Sequence, residues 1–166
     1  MRSRVLRLVV PLVLVGAVGV GGAMAALAST RSASGTVMTA KSSKYGVVLV
    51  SASGRTLYRY TPDRKGVSVC KGACAALWPP LVLKGSVKPK AGPGVSAGLL
   101  GTMKRSKGVV QVTYAGFPLY LYSADQKAGN VNGEGFQGKW YVVDAKGALV
   151  KKPVSSSGGG SGGAWG

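Results

Sequence analysis

The chain has 166 residues, 22 Lys+Arg against 4 Asp+Glu, a formal net charge of +18 and no histidine. Without histidine there is no Ser-His-Asp or Cys-His nucleophile, no His-ligated metal and no His proton shuttle. The four side-chain carboxylates, Asp63, Asp125, Glu134 and Asp144, supply hard-cation cages and paired-carboxylate catalysis poorly. The composition therefore argues against most hydrolases and metalloenzymes, and no catalytic, metal-binding or cofactor-binding residue is assigned.

Residues 1–28 have the layout of a secretory signal peptide. Arg2, Arg4 and Arg7 precede an almost wholly apolar run from Val5 to Val20. Two A-x-A cleavage options follow, Ala23-Met24-Ala25 and Ala26-Leu27-Ala28. The alternative is an uncleaved signal anchor; after cleavage no transmembrane anchor is expected. Removal takes three of the 22 basic residues, leaving 19 against 4 acidic and a net charge of +15. The charge thus belongs to the exported product. No arm or motif for specific nucleic-acid binding is present, so anionic cell-wall polymers or envelope proteins are the expected partners.

Residues 29–44 are small and polar without hydrophobic periodicity and are read as a flexible linker. Residues 45–154 are the expected folded part, long enough for one core. Sliding the chain along itself lays Gly46-Val47-Val48 over Gly108-Val109-Val110, and the match runs without a gap to Lys84-Gly85 over Lys146-Gly147. Fourteen identities over 40 positions, including Tyr, Asp and Trp, indicate internal duplication, with repeat 1 at about 46–85 and repeat 2 at about 108–147.

Within each copy the patterns are those of strands. Val47 to Val50 is mostly β-branched; in Leu57-Tyr58-Arg59-Tyr60 the two tyrosines share one face. Thr61 to Gly66 is turn chemistry, with Asp63 placed to bond its own backbone. Cys74 to Trp78 permits one helical turn, which Pro79-Pro80 stops. Leu99–Arg105 and Val109–Tyr114 flank Ser106-Lys107-Gly108 as a hairpin. A turn at Ala115-Gly116 leads to Pro118–Tyr122 and Asp125, and Trp140–Val143 is a further strand. The expected fold is all-β: a small meander, barrel or sandwich built from two similar halves. The tail 155–166 is Gly/Ser-rich with Trp165 near its end.

Cys70 and Cys74, the only cysteines, are expected to form a disulfide in an oxidising compartment. Their spacing predicts a loop or distorted turn. The alternative is a redox-active or Cu(I)-handling thiol pair, with Met103 as a third soft ligand. Tyr58, Tyr60, Asp63, Tyr120, Tyr122 and Asp125 recur at the repeat spacing, as do Trp78 and Trp140. They are read as architecture, aromatics filling one sheet face and aspartates ordering turns. The alternative is a ligand groove in which aromatic faces lie beside a carboxylate.

Both Tyr58–Asp63 and Tyr120–Asp125 fit Y-x-[FWY]-x-x-D. With Cys70–Leu81 after the first copy and Gly138–Val143 after the second, the chain closely resembles bacterial secreted-repeat proteins, often described as predicted lipoproteins. The resemblance covers about residues 45–150. It implies an exported, envelope-associated protein and supplies no mechanism. Two departures stand out. There is no Cys for lipidation near the signal junction, and Phe117 stands where many members carry histidine, so no metal or haem role of that histidine transfers here. The expectation is a non-enzymatic, secreted binding or interaction module; a thiol redox or Cu(I)-handling role for Cys70 and Cys74 is the alternative.

Overall fold

A computed structural model describes residues 35–84 and 88–153. The expected signal peptide and the Gly/Ser tail lie outside these residues. The described chain is built mainly of short strands: β1 (Thr36–Ser42), β2 (Gly46–Ser51), β3 (Tyr58–Tyr60), β4 (Lys90–Ala91), β5 (Leu100–Lys104), β6 (Val110–Tyr114), β7 (Phe117–Pro118), β8 (Trp140–Val143) and β9 (Leu149–Val150). One five-residue helix, α1 (Ala73–Leu77), interrupts them. The strands form three three-stranded sheets, in the orders β2-β1-β4, β3-β8-β9 and β5-β6-β7. All pairings are antiparallel except β1 with β4. The fold is thus all-β and duplicated, as three small sheets without a closed barrel.

One boundary is corrected. Residues 36–42, expected to belong to a linker, form β1 and pair with β2 from Val37↔Ser51 to Ser42↔Gly46. Val37 is completely buried, and Met38 packs on the core. A strand with few large apolar residues shows no period of its own; its partner's backbone imposes the extended form. β1 also completes the repeat: in the alignment that lays Gly46 over Gly108, the β1–β2 hairpin falls on the β5–β6 hairpin. Two-residue strands such as β4 and β9 carry no sequence signal because neighbouring strands define them.

Alternation along the strands divides the interior in two. Leu57, Leu119 and Leu121 enter one cluster with Val37, Leu49, Leu81 and Val112. Tyr58, Tyr120 and Tyr122 enter the other with Val48, Val50, Trp78, Trp140 and Val142. Turn chemistry sets the registers. Ala115 (φ 48°) and Gly116 (φ 83°) join β6 to β7 through two positive-φ residues, the type I′ geometry that suits strand twist. Among the described residues no helix is long and apolar enough to cross a membrane.

Candidate functional site

The duplicated motif lies where the two repeats meet. Tyr58 N–H donates to the Tyr120 carbonyl (2.9 Å), and Tyr120 N–H donates to the Tyr58 carbonyl (3.0 Å). These two residues occupy equivalent places in the two repeats, so a pseudo-two-fold axis passes between them. The side chains then cross over. The Tyr58 hydroxyl donates to Asp125 Oδ2 at 2.6 Å, and the Tyr120 hydroxyl donates to Asp63 Oδ2 at 2.5 Å. Each repeat supplies the tyrosine for the other's aspartate.

The second oxygen of each carboxylate accepts a backbone N–H: Val69 on Asp63 Oδ1 (2.8 Å) and Asn132 on Asp125 Oδ1 (3.0 Å). Sequence reasoning placed each aspartate in its own turn but missed the exchanged tyrosine, because nothing local encodes a partner 57 or 67 residues away. Burial pushes both phenols well above their usual range, their aspartate partners adding to the effect, so the protons stay on the tyrosines. Burial also raises the Asp63 carboxyl, against the hydrogen bonds from Tyr120 and Val69.

The aromatic rings obey the same symmetry. Tyr60 stacks on Trp140 (centroids 4.3 Å, 20°), and Tyr122 stacks on Trp78 (4.2 Å, 23°). Trp78 and Trp140 stack on each other at 3.8 Å and 3°. Four rings thus form one column across the axis, in the order Tyr60, Trp140, Trp78, Tyr122. Tyr58 meets Trp78 edge-on (5.3 Å), as Tyr120 meets Trp140 (5.1 Å). Stacked and edge-to-face contacts of this kind are worth about 0.5–1.5 kcal/mol each beyond area burial. Gly133 is required here, since a Cβ would meet the Trp78 ring at 2.7 Å and Tyr58 at 2.9 Å.

Of the motif residues, Tyr58, Asp63, Trp78, Tyr120, Tyr122, Asp125 and Trp140 are all buried. Tyr60 alone is half-buried. It lines, with Cys74, Leu77, Trp78, Phe136 and Trp140, a recess of about 300 Å³.

Cys70 and Cys74 form a disulfide that spans the start of α1, with Cα atoms 5.3 Å apart. Cys70 is buried and packs in the aromatic cluster with Cys74. The two sulfurs are bonded to each other, so the pair presents no free thiolate for Cu(I) in this structure. Among the described residues no group of three or more His, Cys, Asp or Glu could hold a metal ion.

Other polar residues missed from sequence tie the loops down. Arg55 donates to the carbonyls of Tyr122 (2.7 Å) and Asp125 (3.0 Å). Arg105 donates to Ser68 Oγ and to Gln111 Oε1, each at 2.7 Å, and to the Cys70 carbonyl. Gln111 is fully buried within a valine-rich strand, the one local hint of a polar contact there. Phe117 lies under the Arg59 guanidinium, 3.3 Å from ring centroid to carbon. Burial pushes Glu134 up to about 7, although its carboxylate accepts the Val142 N–H at 2.6 Å.

A family model described as a secreted repeat of unknown function matches residues 39–82 and again 101–144. The chain belongs to this family of secreted repeats. The step from the first matched segment to the second equals the step from Tyr58 to Tyr120, and both segments start inside the equivalent strands β1 and β5. In this secreted-repeat protein the repeat unit therefore begins earlier than residues 46 and 108. No curated protein and no solved structure matches the chain.

Proposed function

We propose that this secreted-repeat protein is a non-catalytic binding module of the bacterial cell envelope that associates with anionic wall polymers through a cationic surface. The observation that carries this reading is the unequal use of the two signs of charge. All four carboxylates accept from tyrosine hydroxyls or backbone N–H groups: Asp63 and Asp125 at the repeat interface, Glu134 on Val142, and Asp144 on Lys146 and Ala148. Every lysine of the described residues, in contrast, is exposed. The acids serve the fold while the lysines face solvent, which makes the surface net positive. Outside a bacterial cytoplasm the abundant partners of such a surface are polyanions and acidic envelope proteins.

Binding of the protein to purified cell wall tests the reading. Retention at about 50 mM salt and release by about 500 mM are expected, since exposed charges are screened over this range. Salt-independent retention, or no retention at low salt, would overturn it.

A further inference from the structure

Between the loop after β3 and the end of β5 lies a recess of about 280 Å³, lined by Ser68, Lys71, Met103, Lys104, Arg105 and Ser106 among others. We propose that it is an anion site that takes a phosphodiester group of an acidic polymer; the polymer part rests on the wall-binding reading above.

Three cationic residues, Lys71, Lys104 and Arg105, are among those that line the recess, and no Asp or Glu lines it. The Arg105 guanidinium is held in place by three neutral acceptors, the Ser68 hydroxyl, the Gln111 side-chain carbonyl and the Cys70 backbone carbonyl. A guanidinium offers five N–H donors, so these bonds position it without consuming it. Asp63 is close enough to feel its charge, but both Asp63 oxygens are engaged by Tyr120 and Val69. Lys71 follows the disulfide-bonded Cys70, whose carbonyl is tied to Arg105, so its backbone is anchored. Lys104 ends β5, one residue before Arg105.

The duplication shows that the repeat fold does not need the two lysines, whereas Arg105 also ties its own half's loops together. In the alignment of the two repeats, Lys71 corresponds to Gly133, and Lys104 and Arg105 correspond to Ser42 and Ser43. The repeat architecture is complete in the other half without a cation at any of the three places. The ammonium, guanidinium and hydroxyl groups of the lining residues supply the positive charge and the donors that phosphate oxygens accept.

Inorganic phosphate and poly(glycerol phosphate) are the probes, followed by amide chemical shifts and calorimetry on the whole protein. Phosphate should give saturable shifts at Lys71 and Lys104 to Ser106, lost in the double variant Lys71→Gln/Lys104→Gln. That variant should bind the polymer at least about tenfold more weakly, as expected for losing charge-assisted hydrogen bonds. A control at two lysines that do not line the recess, Lys127→Gln/Lys139→Gln, should lose about twofold, a non-specific charge effect. All four lysines are exposed, so the variants should keep the native fold by circular dichroism. Equal losses in the two double variants, or phosphate shifts scattered over many lysines without saturation, would overturn the site. Saturable phosphate binding at the recess without polymer or wall binding would keep the anion site and overturn the polymer assignment and the wall-binding reading.

Discussion

Tyr58 and Tyr120 each present a buried hydroxyl to a buried carboxylate of the other repeat. Removing the hydroxyl leaves the carboxylate short of its charge-assisted donor in a place water does not reach. Tyr58→Phe and Tyr120→Phe should each cost about 1–3 kcal/mol, read as a lower urea midpoint at unchanged slope; a loss below about 0.5 kcal/mol would show the exchanged bonds to be energetically idle. Glu134 carries a pH signature. Its folded-state pKa is raised to about 7 by burial, so between the ordinary carboxylate range and pH 7 the native state holds more protons than the unfolded one. Stability should therefore fall as pH rises through that window. Glu134→Gln, which keeps an acceptor for the Val142 N–H, should flatten this part of the stability–pH curve. An unchanged slope would assign the effect elsewhere.

Among the elements, α1 is the part least supported by its own sequence. It has five residues, no side-chain cap and no fully buried residue. Isolated helices this short are not stable in water, so the disulfide at its first turn is what fixes it. The short loop between Cys70 and Cys74 gives an expected contribution of about 2 kcal/mol from chain entropy. Cys70→Ala/Cys74→Ala should lower stability by that amount and loosen protection of the amides around Ser68 to Lys71 in hydrogen exchange; equal stability with and without the bond would contradict this role. The strands divide by how they were legible. β2, β3, β5, β6 and β8 coincide with β-branched or alternating segments bounded by turn residues. β1 was hidden because its side chains are small and polar, and β4 and β9 because two residues carry no period.

Across the molecule the crossed Tyr–Asp bonds and the column of Trp78 and Trp140 make neither repeat complete alone. The β3–β8 pairing adds to this, since it joins a strand of the first half to one of the second. The two repeats should unfold in a single transition, with tryptophan fluorescence and far-ultraviolet circular dichroism giving coincident curves; two separated transitions would mean that the halves are independent domains. Composition, charge, the internal duplication and the all-β class were all readable along the chain, because each depends on residue type and local spacing. The tertiary structure alone decided that the tyrosines and aspartates of the motif exchange between repeats, and that their tryptophans stack on one axis. It also decided that the scattered Lys71, Lys104 and Arg105 line one recess while every carboxylate is tied to a hydroxyl or backbone donor. These facts depend on which distant segments the fold brings together. Periodicity states which face a side chain takes, and only packing states what it meets there.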